Sequence, residues 1–256
     1  MRLLIKVGGT LLDEAASRAR LSSELAEAAR SGVQMAVVHG GGRQMTRYLA
    51  ERGCESRFVN GLRVTTPEVL DAVLKVFAGT VNHQFVAALN AAGARAVGLS
   101  GIDALLAEAE PLAEELGAVG RVVASDAGVL EVLVEGGYLP VIACVAGDRR
   151  GNIYNVNADQ MAVACAAAFR ADRLFFLTDV EGVRDAAGRP IGRLGAADAE
   201  RLIRDGIATG GMQAKLNAAA EALRRGVGEV VIAPGSEAGV IGRLLSGEPL
   251  GSRLVN

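Results

Sequence analysis

Leu3-Leu4-Ile5-Lys6-Val7-Gly8-Gly9 opens the chain, and Met35-Ala36-Val37-Val38-His39-Gly40-Gly41-Gly42 repeats its design further along. Each is an apolar run that ends in glycines and gives way to a helical pattern. A run apolar at nearly every position is covered on both faces, as strands of a parallel sheet are. Glycine has no Cβ, so backbone N–H groups at such a corner can come within hydrogen-bond distance of a ligand. A helix N-terminus adds positive partial charge there. Two such corners, with the cation of Lys6 at the end of the first strand, point to an anion site.

The same alternation continues outward. Further strand patterns occupy residues 96–99, 139–143, 173–177 and 229–232. Amphipathic patterns predict helices over 17–31, 42–52, 67–92, 127–135, 158–169, 196–205, 211–225 and 239–245. Thr65-Thr66-Pro67-Glu68 reads as a helix start, with a hydroxyl cap and Pro at N1. The alternation predicts an α/β protein: a three-layer αβα sandwich on a central, mainly parallel sheet with right-handed crossovers. Residues 60–64 and 117–123 break the pattern, mix apolar and polar residues and carry glycine, so hairpins at the sheet edge are expected. No Pro/Gly/Ser linker divides the chain. A functional break falls near residue 172, giving lobes 1–172 and 173–256 on one continuous sheet. In an open α/β sheet the ligand site lies beyond the carboxyl ends of the strands. Lys6, both glycine clusters and most of the later polar runs fall there.

Composition narrows the function. The chain has 256 residues, half of them apolar, with 33 glycines and 6 prolines. That suits tight strand–helix corners and excludes disorder. No uninterrupted apolar run approaches the ~18–20 residues of a membrane span. The first apolar run is too short for a signal segment, so a cytoplasmic protein is expected. A net charge of −2 supplies no field for nucleic acid. Cys54, Cys144 and Cys165 form no CxxC and read as reduced structural thiols. Two histidines exclude a His-rich metal site. The chain lacks GxxxxGK[ST], GxGxxG and GxSxG, which argues against a Walker loop, a dinucleotide fingerprint and a hydrolase elbow.

An ordered set of blocks remains: Lys6-Val7-Gly8-Gly9, His39-Gly40-Gly41-Gly42, Asn60-Gly61-Leu62-Arg63-Val64-Thr65, Gly79-Thr80-Val81-Asn82 and Glu115-Leu116-Gly117-Ala118-Val119-Gly120. It continues with Gly137-Tyr138-Leu139-Pro140-Val141, Asn155-Val156-Asn157-Ala158-Asp159-Gln160, Thr178-Asp179-Val180-Glu181-Gly182 and Gly211-Met212-Gln213-Ala214-Lys215. Over essentially the whole chain, this set resembles the amino acid kinase superfamily, and within it the N-acetyl-L-glutamate kinases. The resemblance implies ATP-dependent phosphorylation of the γ-carboxylate of N-acetyl-L-glutamate, giving an acyl phosphate for arginine biosynthesis.

The reaction suits the residues. A γ-carboxylate with a reference pKa near ~4.3 is ionised at neutral pH and needs no general base. The difficulty is to bring one anion up to another, which calls for positioning and charge stabilisation. By resemblance, Lys6 and Lys215 stabilise the phosphoryl group in transfer, and Asp159 orients them. Gly8 and Gly9 supply backbone donors on the nucleotide side. Gly41 and Gly42 hold acceptor oxygens, Arg63 takes the α-carboxylate with two parallel bonds, and Asn155 binds the amino-acid part. The nucleotide falls to Asp179, Val180, Glu181, Gly182, Val183 and Arg184, and to Thr209, Gly210 and Gly211. Mg2+ arrives with ATP and is held mainly by its phosphates, with no dedicated metal site in the protein.

His39 reads as a structural hydrogen-bonder, since no base is needed. Asp159 also suits a helix first turn on its own account. Residues 101–110, rich in Ala and Leu, have no assigned role where the resemblance implies a more polar loop and strand. The first strand starts without the N-terminal helix of arginine-inhibited hexameric forms, so a homodimer joined through the 67–92 helix is expected. The alternative activity is a carrier-protein aminoadipate or glutamate kinase of lysine or ornithine biosynthesis. A catalytically silent ligand sensor on the same fold would have lost a charged site residue, and Lys6, Asp159 and Lys215 are all present.

Overall fold

Leu3, Leu4, Ile5 and Val7 are wholly buried, which places the opening run at the centre of the molecule. The structure is a computed structural model and describes residues 1–255. In chain order its elements are β1 (Arg2–Val7), α1 (Ala15–Arg30), β2 (Gln34–His39), α2 (Gly42–Ala50), β3 (Phe58–Val59), β4 (Leu62–Arg63), α3 (Pro67–Val73), α4 (Asn82–Ala91), β5 (Ala96–Ser100), β6 (Ala107–Pro111), β7 (Val119–Ser125) and α5 (Gly128–Glu135). There follow β8 (Leu139–Ala143), β9 (Val145–Gly147), β10 (Ile153–Val156), α6 (Ala158–Ala168), β11 (Arg173–Thr178), β12 (Arg193–Leu194), α7 (Ala196–Arg204), α8 (Gly210–Arg224), β13 (Glu229–Pro234), α9 (Val240–Leu245) and β14 (Ser252–Val255).

The central sheet runs β12-β14-β13-β11-β1-β2-β8-β5. All six strands read from the sequence are in it, side by side and parallel. β1 lies between β11 and β2, with Lys6 level with Phe176 on one side and Val38 on the other. The β1–β11 pairing carries the sheet across residue 172 without a break. Helices α1, α4 and α9 pack on one face, and α5, α6 and α8 on the other, which makes the expected three layers.

The two irregular segments differ from expectation. Residues 58–63 do form a hairpin, with Asn60 and Gly61 both at positive φ (50° and 78°), the combination a two-residue type I′ turn requires. It is a separate two-stranded sheet, however, and not an edge of the main one. Residues 117–123 are not a hairpin. They enter β7, which joins β6, β9 and β10 in a small closed four-stranded barrel. The Ala-rich stretch after residue 100 supplies β6. There Ala107 and Ala109 point inward and are buried, while Glu110 is exposed. A Cβ on Gly120 would stand 2.5 Å from the Tyr154 Cβ and 3.2 Å from the Ala109 Cβ, so the crossing of β7 with β6 and β10 leaves room there only for glycine.

The 67–91 helix starts as expected: the Thr66 hydroxyl accepts from the Val69 N–H, with Pro67 at N1. Its middle, Leu74–Val81, is wound in wider π turns. By length and composition it could cross a membrane, but Val73, Phe77, Val81, Phe85 and Leu89 along it are buried in the core.

Candidate active site

Parallel strands deliver their carboxyl ends to one rim, and helices begin there. Side chains alternate along β1, so Lys6 leaves it on the face opposite Ile5 and Val7. α6 packs on β1 from that face. The Asn157 side chain caps α6, accepting from the N–H groups of Asp159 (2.9 Å) and Gln160 (3.2 Å). This fixes Asp159 in the first turn, where the helix dipole favours its charge. Its carboxylate bridges two cations: Lys6 Nζ lies 2.7 Å from Oδ1 and Lys215 Nζ 3.5 Å from Oδ2. Oδ1 is fully enclosed, and among the described residues it has no partner besides the Lys6 ammonium. Burial pushes the Asp159 carboxyl up, but Lys6 and then Lys215 outweigh it and hold the group below the usual carboxylate range. Two lysines on separate elements thus converge, charged, on one point.

The glycine corners meet beside them. A Cβ on Gly9 would lie 2.9 Å from the Gly41 nitrogen, and one on Gly41 would lie 2.8 Å from the Phe77 ring. Only glycine lets the two loops and the long helix approach this closely. Gln44 in α2 ties the corners together by donating from Nε2 to the Gly9 carbonyl at 3.0 Å. The Gly8 N–H donates to Leu177 O at 2.9 Å, so Gly8 offers no free amide, contrary to the role expected of it. Its carbonyl accepts from Leu11 N–H at 3.1 Å. That carbonyl and the Gly9 N–H share one planar peptide and point opposite ways, which aims Gly9 N–H away from the following turn. Among the described residues, the Gly9, Gly41 and Gly42 amides donate to no protein acceptor.

Arg63 comes to the second corner from β4. Its guanidinium donates to the hydroxyls of Ser56 and Thr46 (2.9 Å to the latter) and to Gly42 O (3.3 Å), and it lies over the Phe58 ring at 4.6 Å. Burial lowers its pKa from the usual arginine value. Asn155 is linked to it: its amide donates to the Thr65 hydroxyl at 3.0 Å, which donates to Arg63 O at 2.9 Å.

Gly210 and Gly211, at the N-terminus of α8, line a cleft of about 970 Å³ with Asp159, Lys215, and Asn60 and Gly61 of the hairpin tip. Thr209 precedes them as N-cap, and Gly210 sits at φ 53°. The 179–184 loop after β11 stands outside the wall of that cleft. Within it Asp179 accepts from the Thr178 hydroxyl at 3.1 Å, Arg184 pairs with Glu181 at 2.8 Å, and Val180 is exposed. Val183 corrects the expectation: it is fully buried and its N–H donates to Ser252 Oγ at 2.8 Å. It therefore shapes the loop, and neither its side chain nor its N–H is open to a ligand. Gly182, at φ 146°, is held equally tightly, since a Cβ there would lie 2.7 Å from Ser252 Oγ. Gln44, Thr46, Ser56 and Ser252 were not read from the sequence. The hydrophilic positions immediately after the Gly40–Gly42 cluster were the only sign of the first two.

The profile of the amino acid kinase family matches residues 1–234. The acetylglutamate kinase of Solibacter usitatus is 63% identical over 255 residues, spanning 100% of this chain and 99% of its own length. That of Koribacter versatilis is 43% identical over 93% of this chain and 92% of its own. Among solved structures, the N-acetylglutamate synthase from Neisseria gonorrhoeae, complexed with coenzyme A and N-acetyl-glutamate, superposes on all of this chain with a TM-score of 0.87 at 24% identity. This chain spans only 59% of the synthase. Carbamate kinase from Giardia lamblia bound to AMP-PNP gives 0.72 at 16% identity, covering 99% of this chain and 98% of its own. At these identities the two likenesses concern the fold. From the profile and the full-length relatives together, the chain belongs to the amino acid kinase family.

Proposed function

We propose that this chain transfers the γ-phosphoryl group of ATP to the γ-carboxylate of N-acetyl-L-glutamate, forming N-acetyl-L-glutamyl 5-phosphate in arginine biosynthesis. The observation that carries the reading is the Lys6–Asp159–Lys215 bridge at the rim of a parallel sheet, in a chain whose full-length relatives are named acetylglutamate kinases. In the reaction a carboxylate oxygen bonds to the γ-phosphorus while the bond to the β,γ-bridging oxygen breaks, and ADP leaves with that electron pair. No proton moves. Lys6 and Lys215 would offset the charge that gathers on the phosphoryl oxygens, with the Gly9 amide beside them. Asp159 holds both ammonium groups aimed at that point.

For the acceptor, Arg63 would take the α-carboxylate, the Gly41 and Gly42 amides the attacking end, and Asn155 the amino-acid part. For ATP, Thr209, Gly210 and Gly211 suit phosphate oxygens at a helix N-terminus, and the exposed part of loop 179–184 suits the rest of the nucleotide. Both Asp159 oxygens are engaged by lysines, so Mg2+ would be held by the phosphates, whose charge it neutralises. Residues 1–172 would then form the acceptor lobe and 173–256 the nucleotide lobe. A cytoplasmic homodimer, joined through the outward side of the 67–91 helix, completes the reading. Relatives named for acetylglutamate over their whole length favour the free acetylated amino acid over a carrier-linked substrate. The test is hydroxylamine trapping with N-acetyl-L-glutamate and ATP. Acyl-hydroxamate formation is expected, and its absence would overturn the assignment.

A further inference from the structure

His39 and Asn82 form a buried pair that the reaction itself does not use. His39 is fully buried and Asn82 is 3% exposed. The Asn82 Nδ2 stands 2.9 Å from Val141 O and 3.0 Å from His39 Nε2. A carbonyl oxygen can only accept, so it is the amide nitrogen that faces Val141. His39 Nε2 must then accept as well, which puts the ring proton on Nδ1. Nδ1 lies 3.1 Å from Gly40 O, to which it donates. Every partner agrees on one neutral tautomer. Burial drives the His39 pKa down to about 4.

The consequence lies one peptide further on. Gly40 C=O and Gly41 N–H belong to one planar unit and point opposite ways. Holding the oxygen on His39 turns the Gly41 N–H the opposite way, to the side where the Gly9 corner lies. The preceding peptide is held too: His39 O accepts from the Cys144 thiol at 2.7 Å, and Gly40 N–H donates to Val7 O at 3.2 Å. Three consecutive glycines would otherwise wander among many conformations.

We propose that Asn82 and His39 are positioning residues: a buried strut that sets the peptide plane of Gly40–Gly41 and so aims the free amide at the acceptor. The proposal rests on reading Gly41 and Gly42 as acceptor-binding amides. An independent feature of the fold supports it. A Cβ on Gly98, on the edge strand β5, would lie 2.1 Å from the Asn82 Oδ1. The gap at Gly98 is what admits Asn82, so the strut can be disturbed from outside the cradle.

The test has two parts. In wild-type protein, long-range 15N–1H correlation reports the tautomer of His39, one of only two histidines in the chain. The Nδ1–H form is expected, and the Nε2–H form would overturn the proposal whatever the activity. Kinetics follow with H39L, H39N and G98A, each checked by thermal melting. H39L and G98A should raise the acceptor KM about tenfold and leave the ATP KM unchanged, because one aimed amide is lost to a charged ligand. In H39N the amide Nδ2 occupies the place of Nδ1 but does not reach Asn82, so it should restore the acceptor KM only in part. Folded H39L and G98A with wild-type acceptor KM would overturn the proposal, as would equal defects in H39L and H39N. Should a variant not fold, the tautomer decides. A wild-type protein that makes no acyl phosphate at all would count against the proposed function and leave the strut to the tautomer measurement.

Discussion

Asp159 carries a buried charge that only its two lysines make tolerable, and Arg63 is gripped from three sides before any ligand arrives. These facts set separate expectations. Arg63→Ala removes a guanidinium that would pair with a carboxylate, so the acceptor KM should rise by about tenfold or more while the ATP KM holds. Steady-state kinetics in both substrates check this, and an effect confined to ATP would contradict the placement of Arg63. Gly41→Ala would drive a methyl group to within 2.8 Å of the Phe77 ring. A lowered melting temperature is expected together with lost acceptor affinity. At this scale Lys6, Asp159, Lys215 and Arg63 were singled out through the family resemblance, because a lysine at a strand end, a lysine in a helix and an acid in a helix first turn each have ordinary structural uses when read alone. Thr46, Ser56 and Gln44 were not. A hydroxyl in a loop (Ser56) and polar residues near a helix start (Gln44, Thr46) are ordinary, and only the folded geometry aims them at Arg63 and Gly9.

Among the elements, α6 matters out of proportion to its length, since its first turn carries Asp159. Asn157→Ala removes the cap that accepts from Asp159 and Gln160 N–H groups. A loss of about 1 kcal/mol is expected, read in chemical denaturation, with a fall in kcat larger than the change in either KM. Stability loss with wild-type kcat would show that the cap serves the helix alone. The helices and the six parallel strands were legible because each is long, apolar and periodic. The barrel of β6, β7, β9 and β10 was not: its strands are short, and buried small residues (Ala107, Ala109, Gly120, Ala146) interrupt the alternation that Val119, Val145, Tyr154 and Val156 would otherwise show. β14 escaped for a related reason. It is only four residues long with Arg253 in it, and it is defined by its pairing, antiparallel to β13 and parallel to the short edge strand β12.

For the whole molecule, the sheet order places β1 between β11 and β2, so Lys6, the lysine proposed to meet the phosphoryl group, stands at the seam of the proposed lobes. Acid should reach this molecule through two windows. His39 has a folded pKa of about 4, below the unfolded value of ~6.5, so the unfolded chain binds the proton first. The stability it permits is intact above pH ~6.5 and erodes as pH falls toward 4, by up to roughly 3 kcal/mol. Asp159 is depressed in the folded state, so its contribution holds above the unfolded carboxylate value near pH ~3.9 and is lost below it. Denaturation at pH 7 and pH 5 should therefore show wild type losing more stability than H39N over that interval. Equal losses would contradict the buried, neutral histidine.

Two lysines acting on one phosphoryl group are the centre of the proposed mechanism. The most direct measurement of that mechanism is acyl-hydroxamate formation from N-acetyl-L-glutamate and ATP by Lys6→Ala and Lys215→Ala, each beside wild type and each with its melting curve. Each folded variant should lose about a hundred- to a thousandfold in kcat, as when one preorganised donor to a developing charge is removed. Wild-type turnover in both folded variants would contradict it.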